Sequence, residues 1–259
     1  MPLAEAVVAH AGHRAAWYQD FIGPLLIPVT AVDDVIALTD PATRPTVGVI
    51  GEPSALARFL RREVDLSVRQ VEGPVAKRGE DPRPGVDTLV AMASDHPAVD
   101  VYAEIPLTWG LHEALDQVAE ARARGVRIGP KFRTGGLAAE LFPTPAELAA
   151  VICACRDREL PFKLTAGLHH AIRHGDADTG FVHHGFLNVL AATLTAVAGG
   201  DVARVTERLG STDPIALIEV VRAARSQDRP LWIGFGSCSV REPLADLVGL
   251  RLVAAEVSS

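Results

Sequence analysis

Residues 99–132 read VDVYAEIPLTWGLHEALDQVAEARARGVRIGPKF. The two ends, Val99 to Ile105 and Val126 to Phe132, are short runs rich in apolar and β-branched residues, while Leu111, Leu115, Val118 and Ala119 between them recur at helical spacing. A strand, a helix packed by one face and a second strand make one βα unit, which requires the two strands to run parallel. The rhythm extends outward on both sides. Further strands are expected at Leu25 to Val29, Thr46 to Ile50, Val64 to Val71, Pro161 to Thr165 and Leu231 to Phe235. Helices are expected at Pro53 to Arg62, Asp87 to Ser94, Leu111 to Arg124, Thr144 to Arg158, Phe186 to Ala198, Val202 to Leu209 and Pro214 to Ser226.

The pattern predicts an α/β fold, a TIM-type β/α barrel, in one domain spanning residues 1–259. Seven strands are legible where a closed barrel has eight. Either the helical N-terminal segment 1–24, rich in helix formers from Leu3 to Trp17, plugs the barrel bottom in place of a strand, or an eighth strand is hidden. No strand-length apolar run lies between Phe186 and Ser226, so residues 169–226 read as an enlarged helical connection. Arg78 to Gly85 and Gly175 to Gly180 read as polar loops.

A net charge of −7 disfavours binding to a phosphate backbone, so no nucleic-acid partner is expected. The most apolar stretch, Phe186 to Ala198, is too short for a membrane span and contains Asn188. Cys153, Cys155 and Cys238 have neither disulfide nor zinc spacing, which fits a reducing, cytoplasmic location. No cofactor is called for. A homodimer is expected only by analogy with other barrel enzymes.

Three of the 25 basic residues are lysine, leaving 22 arginines (25 − 3), so each lysine asks for its own reason. Lysine, unlike arginine, can lose its proton and attack a carbonyl to form a Schiff base. Lys131 stands in Lys131-Phe132-Arg133-Thr134-Gly135-Gly136, and Lys163 in Lys163-Leu164-Thr165-Ala166-Gly167. They are 32 residues apart (163 − 131), one βα unit, which puts them on adjacent strands at the carboxyl rim where barrel enzymes collect their reactive groups. Neighbouring ammonium groups then weaken each other's hold on a proton. Strand alternation gives Arg133 the same face as Lys131. Gly135 and Gly167 offer backbone amides to an anion, and Phe235-Gly236-Ser237-Cys238-Ser239 has the look of a phosphate cup on the last strand.

These motifs resemble the class I deoxyribose-phosphate aldolase family. Its barrel carries a Schiff-base lysine in Lys-x-x-Thr-Gly, a second lysine one unit later in Lys-x-x-Gly-Gly, and a Phe/Ile-Gly-x-Ser-Ser turn on the last strand. Lys131 with Thr134 and Gly135 matches the first motif. Lys163 with Gly167 is similar to the second, with Ala166 in a glycine position, and Gly236, Ser237 and Ser239 resemble the third, with Cys238 between the serines. Glu63-Val64-Asp65-Leu66 is similar to the family's relay-aspartate strand, and Val101-Tyr102-Ala103-Glu104 to the strand before the first lysine. The resemblance implies a lyase acting on a small carbonyl substrate, phosphorylated or carboxylated. Lys131 would form the imine, Lys163 would depress its proton affinity and Asp65 would relay protons. Gly135, Gly167, Ser237 and Ser239 would hold a phosphate.

Five of the nine histidines, His169, His170, His174, His183 and His184, cluster after the Lys163 strand. His169 or His170 suits substrate contact or proton transfer there, and no metal set is assigned. The rival reading uses His169, His170, His174 or His183 with Glu104 in a metal-assisted hydrolase or isomerase; a third reading is a barrel that binds a ligand without turnover. Glu104 inside an apolar strand needs a partner, and Lys131 on the next strand is the expected one. Glu52, Gln70 and Glu72 also end strands and read as solvated groups at the mouth.

Overall fold

The computed structural model describes residues 1–228 and 231–254. Alternation of strand-forming and helix-forming segments produces β1 (Leu25–Pro28), α2 (Val32–Leu38), β2 (Val47–Ile50), α3 (Pro53–Leu60), β3 (Val68–Pro74), α4 (Arg83–Asp95), β4 (Asp100–Glu104), α5 (Leu111–Ala123), β5 (Ile128–Arg133), α6 (Pro145–Asp157) and β6 (Phe162–Thr165). A short antiparallel hairpin, β7 (His174–Gly175) with β8 (Val182–His183), follows. Then come α7 (Phe186–Val197), α8 (Val202–Gly210), α9 (Pro214–Ala223), β9 (Trp232–Gly236) and α10 (Arg241–Gly249), the chain having begun with α1 (Leu3–Arg14). The main sheet has the order β1-β2-β3-β4-β5-β6-β9, and every neighbouring pair is parallel.

The strands divide their residues cleanly between two faces. Val47, Val49, Val71, Val101, Ala103, Ile128, Phe132, Phe162 and Leu164 are buried beneath the helices. The alternate positions, Gln70, Glu72, Tyr102, Glu104, Lys131, Arg133 and Lys163, share the opposite, concave face. Curvature is evident from what meets on that face. Lys163 on β6 touches Glu72 on β3, although three strand spacings in a flat sheet amount to about 14 Å. Leu26 of β1 likewise lies 3.1 Å from where a Cβ would sit on Gly236 of β9, the opposite end of the strand order. The seven strands thus form a curled parallel half-barrel with alternating helices, and no pairing joins β1 to β9 among the described residues.

The N-terminal helix corrects one expectation. A plug would be covered on several faces, but α1 has no buried residue and leaves Val8 73% exposed. It contacts α2, with Leu3 and Val7 partly sheltered against the core. Pro84 and Gly85, expected in a loop, fall in the first turn of α4, where the missing proline N–H costs no helical bond.

The connection from β6 to β9 holds three helices, α7 to α9. Two of its polar side chains are buried because they serve backbone groups. Asn188 accepts from the Arg173 amide at 2.8 Å and donates to the carbonyls of Arg208 and Ser211, each at 2.8 Å. His184 lies 2.8 Å from the Pro143 carbonyl through Nε2, and burial pushes its pKa down to about 4, so it is neutral at pH 7. No helix among the described residues is long and apolar enough to cross a membrane.

Candidate functional site

Parallel pairing sets the site. Glu104 aligns with Lys131, and Lys131 with Lys163, in consecutive strands, so all three side chains emerge on the concave face near the carboxyl ends of β4, β5 and β6. Two strands before Lys131, Glu72 projects from β3 onto the same face. It is 0% exposed, and its two oxygens are divided between the lysines: Lys131 Nζ donates to Oε2 at 2.7 Å and Lys163 Nζ donates to Oε1. Lys131 also meets Glu104 Oε2 at 2.7 Å, and Arg133 donates to Glu104 Oε1 through Nε at 3.0 Å and Nη2 at 2.9 Å. The result is one charged chain, Lys163–Glu72–Lys131–Glu104–Arg133, with Gln70 donating to Glu72 from below.

Burying so much charge is tolerable only because each group has a counter-charge. Burial alone would raise the Glu72 carboxyl, but Lys131 and Lys163 together outweigh it and hold it below the ordinary glutamate range. Glu104 is held low in the same way, by Lys131 and then Arg133 against the effect of burial. Lys163 goes the other way. Burial lowers its pKa, Glu72 opposes that only in part, and the charge on Lys131 adds to the lowering. Its Nζ also lies 5.1 Å from the centroid of Tyr102, whose own pKa is pushed up to about 12 chiefly by burial.

The two lysines are therefore neighbours at one rim, as expected, but they meet through a carboxylate rather than amine to amine. The Glu104 pair with Lys131 is present, and Arg133 faces inward as alternation requires. Glu72, expected as a solvated mouth group, is instead the buried centre of the network. Asp65 is also corrected. β3 begins at Val68, so Asp65 precedes the strand at its amino end, away from the lysine rim, and its side chain is 78% exposed and paired with Arg44.

Thr134, Gly135 and Gly167 turn out to join loops. Thr134 is 1% exposed and donates through Oγ1 to the Ala166 carbonyl at 2.6 Å. A Cβ on Gly135 would lie 3.3 Å from the Gly167 amide nitrogen, so the loops after β5 and β6 touch backbone to backbone. Gly167 has φ +76°, flanked by Ala166 at +63° and Leu168 at +60°, a left-handed run that only the central glycine adopts without strain. These residues shape the rim where the two loops meet.

Gly236 ends β9 beside Thr165, and the serines follow in an exposed turn. Ser237 Oγ donates to the Ser239 carbonyl at 2.8 Å, while Ser239 Oγ accepts from the Glu242 amide at 3.4 Å, so both hydroxyls are engaged within the turn. His169, on the loop after β6, sits over this turn: its Nδ1 is 2.6 Å from Glu242 Oε2 and its Nε2 is 3.4 Å from Cys238 Sγ. His170 Nδ1 is 3.4 Å from Asp246 Oδ2, and its ring packs edge-on against His174, which stacks on His183. No group of three or more His, Cys, Asp or Glu side chains is arranged to hold a metal among the described residues.

A cavity of about 160 Å³ opens beside the charged chain, with Glu104, Arg133, Arg78, Leu107, Leu141 and Glu147 among its lining. Arg133 is the member of the chain that reaches toward solvent, its side chain 41% exposed. Compared with protein-family models, curated proteins and solved structures, the chain matches none.

Proposed function

We propose that the chain is a Schiff-base-forming lyase of the aldolase type, acting on a small carbonyl compound that carries a phosphate or carboxylate. The observation behind this reading is the pair of lysines in register on β5 and β6, sharing one fully buried carboxylate. The fold reading that goes with it is a TIM-type barrel in which seven strands are paired among the described residues.

The ion pairs favour Lys163 as the imine-forming amine, in place of the Lys131 that the family resemblance selects. Lys131 is clamped by two carboxylates and 2% exposed, which leaves its amine little room to reach a carbonyl carbon. Lys163 has one carboxylate partner, keeps 10% of its side chain exposed and has a pKa lowered chiefly by burial, the direction that favours a nucleophilic amine. In this mechanism the free Lys163 amine attacks the substrate carbonyl, and loss of water leaves an iminium. The iminium then takes up the electron pair released when a carbon-carbon bond breaks, and water later frees the amine. Glu72, placed against Lys163 Nζ, takes and returns protons in the role the resemblance gave to Asp65. Lys131 holds Glu72 ionised until it is needed.

Three cations and two anions leave the chain one positive charge (3 − 2) when Lys163 is protonated, which suits an anionic substrate. Arg133, which lines the cavity together with Arg78, is the natural contact for its phosphate or carboxylate.

Borohydride reduction in the presence of a panel of short aldehydes and ketones, with and without a carboxylate or phosphate, tests the reading. The chain has three lysines, so peptide mass mapping is unambiguous, and exposed Lys77 reports nonspecific labelling. A stable adduct on Lys163 is expected for at least one compound. Labelling confined to Lys77, or none across the panel, would overturn the proposal.

A further inference from the structure

The contacts around Cys238 form a second reactive centre that the lysine chemistry does not use. Cys238 is exposed in the turn between β9 and α10, and its Sγ faces His169 Nε2 at 3.4 Å. The other nitrogen of the same ring, Nδ1, is 2.6 Å from Glu242 Oε2 in the first turn of α10. A carboxylate on Nδ1 fixes the tautomer with its proton there, leaving the Nε2 lone pair directed at the thiol. Nucleophile, base and orienting carboxylate therefore stand in the order that thiol and hydroxyl catalysis requires.

The arrangement is held from several sides. Leu168, just before His169, is 1% exposed and left-handed at φ +60°, a strained conformation for a residue with a side chain. Just after it, the Ala171 amide donates to Asp246 Oδ2 of α10 at 2.7 Å, tying the histidine loop to the helix that carries the carboxylate. Strain kept next to a reactive side chain, and paid for by surrounding contacts, is a mark of a functional position. The amides of Val240 and Arg241, at the start of α10 and close to Cys238 in sequence, make no hydrogen bond among the described residues. Beginning at His170, the next residue, a groove of about 470 Å³ runs between the loop and α10, with Ala171, Ile172, Ala245 and Leu250 as apolar walls.

We infer that Cys238, His169 and Glu242 form a thiol acyl-transfer site that accepts the acyl group of a small activated ester or thioester. The Cys238 proton passes to His169 Nε2 and the thiolate attacks the acyl carbonyl carbon. As the carbon–sulfur bond forms and the bond to the leaving alcohol or thiol breaks, His169 returns the proton to that leaving group. Water, deprotonated by His169, then hydrolyses the acyl-cysteine. The site shares the rim with the lysines but does not depend on the imine reading.

The test uses the full chain and p-nitrophenyl acetate as probe. A burst of about one nitrophenolate per chain is expected, with a 42 Da acetyl group mapped to Cys238, in keeping with an acyl-enzyme. Cys238→Ala should remove both, and His169→Asn should slow acylation by about 10²-fold with the melting profile unchanged. Glu242→Gln should slow it less, since it loses orientation but no reacting group. Iodoacetamide provides a second reading: Cys238 should react faster than in His169→Asn, with buried Cys153 and Cys155 as slow internal references. Acetylation at another residue, no burst, or a Cys238 reactivity indifferent to His169→Asn would overturn the inference, as would rapid alkylation without acyl transfer.

Discussion

Lys163→Arg is expected to abolish imine trapping while leaving the protein folded. A guanidinium can keep a charge-assisted bond to Glu72 but cannot form a Schiff base, so the substitution separates the chemistry of the amine from its electrostatics. Borohydride labelling by whichever carbonyl compound traps the native chain should fall by about 10²-fold or more, to the level of Lys77 alone, as is typical when a covalent nucleophile is removed. Lys131→Arg should behave differently. It preserves the positive charge between Glu72 and Glu104, so an adduct should still form at Lys163 at a reduced rate. If Lys131→Arg removed the adduct and Lys163→Arg did not, the imine would belong to Lys131 and the assignment would be reversed.

Glu72→Ala is expected to be the most destabilising single substitution in the network. The carboxylate is 0% exposed and is the shared partner of two ammonium groups, so truncation leaves two buried positive charges facing each other. Removing one member of a buried pair in this way costs about 3–5 kcal/mol, which urea denaturation should show as a lowered midpoint with an unchanged slope. Adding Lys163→Met to Glu72→Ala should recover part of the loss, because one of the stranded charges is then gone. A Glu72→Ala midpoint within about 1 kcal/mol of the native chain would mean that the lysines are not charged against Glu72 and that the network is misdescribed.

The fold was legible to the extent that periodicity carries it. All seven main-sheet strands and the helices from α3 through α9 lie within a few residues of where apolar spacing put them, because each buries one face against a layer. The short α2 was missed, since Val32–Leu38 is too brief for its period to show. At the site, the Lys131–Lys163 pairing could be counted off from the length of one βα unit, and the Glu104 partner followed from the difficulty of burying a lone carboxylate. Glu72 was lost through a boundary: with β3 ended at Val71 the residue fell outside the strand, whereas the alternation Gln70, Val71, Glu72, Gly73 places it inward. The same misplacement moved Asp65 into a strand that begins three residues later. The Cys238, His169 and Glu242 contact spans 69 to 73 residues and depends on β6 pairing with β9, which local spacing does not encode.

A direct consequence of the account is that Lys163 loses its proton more readily than an ordinary lysine, chiefly through burial, with Glu72 opposing and Lys131 reinforcing the effect. For stability, the sign follows from proton counting. Between the lowered native pKa and the unfolded value near 10.5, the unfolded chain binds the extra proton, so this group makes the protein more stable as pH rises through that window. With three lysines in the chain, side-chain ¹⁵N-lysine NMR gives three signals, and the one that disappears in Lys163→Arg identifies the residue. Titration of that signal should give a midpoint below that of a free lysine side chain, and a midpoint at or above it would contradict an amine poised for carbonyl attack.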